Sequence, residues 1–124
     1  MIDGGVATIY VSEMDRAVSF YIETLGLTLV HRAGDYWASI DAGGGLLLGL
    51  HPMSEHGPTP GARGSISVGL NVDEPIDEVV ATLEGRGVKF RGPIQDDGEG
   101  GIRLAFFGDP DGNALYLCEV TRQG

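Results

Sequence analysis

The chain holds a single cysteine, Cys118, among 124 residues, so no disulfide can close within it, and a cytoplasmic location is the expectation. Cations are scarce too: eight Lys and Arg stand against 18 Asp and Glu, a formal net charge of −10. That balance argues against a nucleic-acid partner, whose phosphates demand a basic surface, and mildly favours cationic over anionic ligands. No apolar run approaches bilayer-crossing length and no basic-then-apolar leader opens the chain, so no membrane partner is expected. Aromatic residues make up only 7 %, with one tryptophan, Trp37, so the places where they gather carry information. The rest is ordinary for one folded unit over 1–124: 42 % of residues are hydrophobic and 21 % charged.

What is present is a repeat. Met14, Ala17, Val18, Tyr21 and Leu25 fall on one helical face, which predicts a helix over 14–25 with Ser12 as N-cap and Gly26 as its stop. Ile76, Val79, Val80 and Leu83 predict a second over 75–84, with Pro75 at its first position. A shift of 61 residues superposes Val11 on Val72, Glu13 on Glu74, Val18 on Val79 and Gly26 on Gly87. Further on the shift becomes 67, bringing Ile40 onto Phe107, Gly45 onto Gly112, Leu48 onto Leu115 and Leu50 onto Leu117. The extra residues fit the loop 92–101. Strands are expected near 5–11, 27–31, 66–72 and 88–91, with two more closing each copy. The reading is an α+β fold: a module at 5–51, a proline-bearing linker at 52–64 and a second module at 65–120, each of order βαβββ. Neither copy is large enough to bury its sheet alone. Asp109-Pro110-Asp111-Gly112-Asn113 is a turn between the last two strands.

With two βαβββ modules, the stretch VSEMDRAVSFYIETLGL and the turn-plus-strand FFGDPDGNALYL, the chain resembles the vicinal oxygen chelate group: glyoxalases, ring-cleaving dioxygenases, epimerases and bleomycin-type resistance proteins. The resemblance covers about 5–119 and implies cupped, mixed, mostly antiparallel sheets. In metal-using members four side chains converge on a divalent ion. By motif spacing those places fall here on Val6, Gly49, Ser67 and Tyr116. Valine and glycine offer no side-chain donor, and serine and a neutral phenol are poor ones. A slip of one residue reaches only Gly5, Ala7, Ile66, Val68, Leu48, Leu50, Leu115 and Leu117, none of them a ligand. No metal and no cofactor is therefore expected.

Other chemistry is thin. His51, Glu55 and His56 stand at the edge of the linker without ligand spacing, although alternation turns His51 toward the cavity with Leu47 and Gly49. His31 reads as surface. Cys118 shares a face with Tyr116 but nothing nearby would activate it. Gly43-Gly44-Gly45 joins two strands with no helix behind it, so it is a hairpin turn and not a phosphate loop. The candidate ligand-binding residues are Tyr10, Tyr36, Trp37, His51, Arg103, Phe107 and Tyr116. Alternation from Ile40 aligns Tyr36 with Ala38 and Arg103 with Phe107; it admits only one of Tyr36 and Trp37 to a cavity unless a bulge or a dimer cleft admits the other. No catalytic residue is assigned. The leading expectation is a metal-independent protein that sequesters an aromatic or polycyclic small molecule such as an antibiotic. The resemblance further implies a homodimer. The alternatives are a glyoxalase-, dioxygenase- or isomerase-like enzyme with a non-standard site, and a module that uses its cup as a protein surface.

Overall fold

A computed structural model describes residues 1, 3–55, 57–63, 66–96 and 101–120. His56, the junction at 64–65 and residues 97–100 of the loop 92–101 lie outside the described residues. The order is β1 (Ala7–Val11), α1 (Met14–Ser19), β2 (Thr28–Ala33), β3 (Trp37–Asp41), β4 (Leu47–Pro52), β5 (Val68–Asn71), α2 (Ile76–Gly85), β6 (Gln95–Asp96), β7 (Ile102–Gly108) and β8 (Ala114–Val120). Among the described residues the strands make two four-stranded mixed sheets, β1-β4-β3-β2 and β5-β8-β7-β6, the first pair in each being parallel.

The registers carry the repeat. Thr8 lies opposite Gly49 in the first sheet and Gly69 opposite Tyr116 in the second, which are the offsets of 61 and 67 read from the sequence. Ser39 against Gly49 and Phe106 against Tyr116 repeat the correspondence one strand further out.

Residues of alternate parity on each strand form the core. Ile9, Val11, Ala38, Ile40, Leu48, Leu50, Phe107 and Leu115 are buried against the helices, together with Tyr21 and Ile76. Burial at period two on a strand defines two faces: a helix-bearing face, and an open face that carries the other parity.

Local details depart from expectation. The N-cap of α1 is Glu13, whose carboxylate accepts from the Arg16 amide at 2.8 Å, and not Ser12, which bonds Asp111 instead. Beyond Ser19 the helix widens into a π-helical turn at Phe20–Thr24 before Gly26 stops it at a φ of +77°. Pro75 precedes α2 as its cap. The strand expected at 88–91 is not formed: only the Arg91 amide reaches β7, at Phe106 O, 2.7 Å. Pairing resumes at β6, after Gly92 at a φ of +95° and Pro93, which has no N–H to offer a ladder.

Two candidate site residues lie on the helix-bearing face. Phe107 is fully buried against Phe90, with ring centroids 5.2 Å apart. Arg103 donates to Asp77 at the start of α2, at 2.9 and 3.2 Å, and stands 3.5 Å from Glu119. The reason is register. Cross-strand partners share a face, and Phe107 opposes Leu115 while Arg103 opposes Glu119. The partner of Tyr116 is Phe106.

Candidate functional site

The open face of the first sheet holds Thr8 and Tyr10 of β1, Gly49 and His51 of β4, and Trp37 and Ser39 of β3. β1 pairs Tyr10 with His51, and the β3–β4 register brings Trp37 alongside. The outcome is one aromatic row across three adjacent strands. Tyr10 and His51 have ring centroids 4.8 Å apart, and His51 and Trp37 stand edge-on at 6.4 Å. The indole folds down over Gly49, so that a Cβ at that position would collide with the ring carbons. Its Nε1–H donates to Ser39 Oγ at 2.6 Å, which fixes the plane of the ring.

The second sheet uses the same device one row away. Tyr116 lies over Gly69, whose absent side chain makes room for the phenol. Phe106 tilts against it at 5.5 Å. In each module, then, an aromatic ring fills the space where a glycine of a neighbouring strand lacks a side chain.

Tyr10, Trp37, His51 and Tyr116 are therefore all on open faces, the first, second and third in one cluster and Tyr116 in the other sheet. Tyr36 stands in the β2–β3 turn, 80 % exposed, apart from both clusters. Ser39 and Phe106 belong to the clusters and were missed; pairing them across the strands with Gly49 and Tyr116 would have found them. A register shift between Leu29 and His31 brings His31 opposite Ser39, on the open face, where it is exposed as expected.

The linker closes over one end of the row. Gly57 approaches the Tyr10 ring closely enough that a Cβ would stand 3.0 Å from Cε2. A cavity of about 220 Å³ lies there, lined by Thr8, Tyr10, Pro58, Thr59, Ile66 and Asn113. Asn113 is the pin of this region. Its Nδ2 donates to Tyr10 O at 3.0 Å and its Oδ1 accepts from the Gly61 amide at 2.8 Å.

Asn113 is itself held by Asp109. That carboxylate accepts from the Tyr21 hydroxyl at 2.8 Å, the Asp111 and Asn113 amides at 3.0 and 2.8 Å, and Asn113 Nδ2 at 2.9 Å. Burial, and secondarily the charge of Asp109, raise the Tyr21 phenol well above its ordinary pKa.

The four places where a metal-using fold relative would carry ligands do not suit a divalent ion. Val6 and Gly49 have no donor atom. Among the described residues no group of three His, Cys, Asp or Glu side chains could hold a metal.

A family model for the glyoxalase/bleomycin resistance protein/dioxygenase superfamily matches residues 5–117. An uncharacterized protein of Mycolicibacterium smegmatis is 35 % identical over 113 residues, spanning 89 % of this chain and 87 % of the relative. The solved structure of TnmS3, an antibiotic binding protein from Streptomyces sp. CB03234, is 30 % identical, covers 97 % of both chains and superposes with a TM-score of 0.78. A superfamily member from Sphaerobacter thermophilus is 32 % identical, covering 96 % of this chain and 98 % of its own, with a TM-score of 0.77.

Proposed function

Because the chain belongs to the glyoxalase/bleomycin resistance protein/dioxygenase superfamily, whose sites differ in chemistry on one fold, we propose that it is a metal-independent binding protein that sequesters an aromatic, antibiotic-like small molecule. The observation that carries this reading is the row Tyr10–His51–Trp37, with the indole lying over the glycine that replaces a ligand side chain. Ring faces and apolar area bind planar molecules; they do not activate water or polarise a carbonyl. The likeness to a structure described as an antibiotic binding protein supports the same reading.

Size bears on how the ligand sits. The cavity beside Tyr10 is about 220 Å³, whereas pockets that enclose drug-sized ligands run to roughly 300–1,000 Å³. A polycyclic ligand would therefore extend from that cavity along the open face over His51 and Trp37. A second copy of the chain would supply the opposite wall, and sedimentation of the protein with and without ligand tests that dimer.

The deciding experiment is one variant measured twice. Trp37→Ala should weaken binding of a planar aromatic compound by about 1–3 kcal/mol while the protein remains folded. A loss of about 3–5 kcal/mol in stability with unchanged affinity would make Trp37 a core residue and remove it from the site. Stoichiometric zinc, nickel, iron or manganese in purified protein, lost on substitution of Ser67 or Tyr116, would replace this reading by an enzymatic one.

A further inference from the structure

The centre of the aromatic row is an imidazole whose hydrogen-bonding sense is set by the backbone. His51 Nδ1 lies 2.7 Å from Pro52 O. A carbonyl oxygen can only accept, so Nδ1 carries the proton and donates it. In the neutral ring the other nitrogen, Nε2, is then purely an acceptor. No hydrogen bond or ion pair to Nε2 is formed among the described residues, and the ring is half-buried between Tyr10 and Trp37. Its neighbour's polar atom is already committed, since Trp37 Nε1–H goes to Ser39 Oγ.

An acceptor with an aromatic ring on either side, Tyr10 tilted against it and Trp37 edge-on, selects by hydrogen-bond polarity as well as by shape. We propose that His51 Nε2 is the specificity-determining acceptor of the site, and that the ligand class is planar aromatics bearing a hydroxyl or N–H donor on the ring edge. A ligand that offers an ether or carbonyl oxygen at that edge would set lone pair against lone pair and leave Nε2 desolvated without a partner, which is the costly arrangement. This inference rests on the aromatic-ligand reading above and adds the chemistry of the edge.

The test compares 2-naphthol with 2-methoxynaphthalene by isothermal titration calorimetry at about pH 8, below the ordinary range of a phenol. The two probes share a ring system and differ in the donor. The wild-type protein should bind 2-naphthol about tenfold more tightly, the worth of one satisfied hydrogen bond in a partly dry site. His51→Phe keeps a ring between Tyr10 and Trp37 but removes the acceptor, and should bring the two affinities within about twofold. His51→Gln restores an acceptor oxygen and should recover part of the preference. Equal affinities in the wild type, or a preference that survives in His51→Phe, would overturn the role of His51. If both probes bind equally and Trp37→Ala weakens both, the aromatic-ligand reading stands while this inference falls. If neither binds at millimolar concentration, the aromatic-ligand reading fails and takes the inference with it.

Discussion

The two modules share a backbone plan and differ at the same turn. In the second, Asp109–Asn113 joins β7 to β8 with side chains that reach out. Asp109 takes the Tyr21 hydroxyl, Asn113 takes Tyr10 O, and Asp111 meets Ser12 through its amide and its hydroxyl. In the first, the corresponding turn between β3 and β4 is Ala42-Gly43-Gly44-Gly45, whose glycines adopt φ of +86°, +61° and +88° and project nothing. Facing it, a cleft of about 380 Å³ is lined by Ala42, Gly43, Gly44 and Leu46 and by Gly69–Asp73. One seam of the pseudo-symmetric molecule is thus fastened by polar side chains, and the other is left open. The difference shows that strand register and module attachment are separate properties. Both sheets have the same register, but only one turn has the chemistry to bind the other module.

The sharpest way to break this comparison is at Asp109. Asp109→Ala strands the Tyr21 hydroxyl, the Asn113 amide and its side chain at once, and should cost about 3–5 kcal/mol in urea unfolding. Its counterpart Ala42→Gly should cost no more than about 1 kcal/mol. Equal costs would mean that the polar turn does not fasten the seam.

The glycine-under-ring device can be tested in both sheets. Gly49→Ala and Gly69→Ala each force a Cβ into a ring, and should destabilise by about 1–3 kcal/mol, as overpacking does. In Gly49→Ala the indole must lift from the sheet and release Ser39, so tryptophan emission should shift to the red. An unchanged emission spectrum would show that the ring is not seated as described.

Alkaline pH separates the seams by titration. The folded state raises the Tyr21 pKa, so the phenol deprotonates more readily when unfolded. Its contribution to stability is full below about pH 10 and is lost as pH rises toward the folded value, by up to about 1.4 kcal/mol per pH unit. Tyr21→Phe should flatten that part of the profile. Thr82, at the corresponding place in the second module, has no proton to lose in that range, so Thr82→Val should leave the profile unchanged.

The smallest effect is expected at Arg103. It pairs with Asp77 on the helix-bearing face, so Arg103→Gln should leave affinity for any aromatic ligand unchanged. A loss of affinity would return Arg103 to the site.

The sequence carried the fold because its signals were local or periodic: helical faces, positive-φ glycines, the proline-bearing turn and the offsets of 61 and 67. Parity of burial was harder. Ile40 and Phe107 correspond correctly in the repeat, but Phe107 and Arg103 belong to the helix-bearing face and not to the cavity, because alternation gives two faces without saying which one meets a helix. Anchoring each outer strand on its partner, Ser39 on Gly49 and Phe106 on Tyr116, resolves that ambiguity and needs only the ladder. Of the site, Tyr10 and His51 were legible as open-face residues, whereas alternation did not decide between Tyr36 and Trp37. The descent of the indole onto Gly49 was not legible, since it depends on a side-chain torsion and on the Ser39 bond.

The bond between Tyr21 and Asp109 joins residues 88 positions apart, and this separation imposes an order in time. The end of the first helix is completed by a turn that emerges from the ribosome only after most of the second module. Closing a longer loop costs more entropy before its contacts repay it, so we expect the seam to form after both sheets, and its bonds to be absent from the folding transition state. Stopped-flow measurements on Tyr21→Phe should then show faster unfolding with refolding scarcely altered. Slower refolding would place the seam early. A lifetime set by the last contact to close makes this turn the clock of the native state.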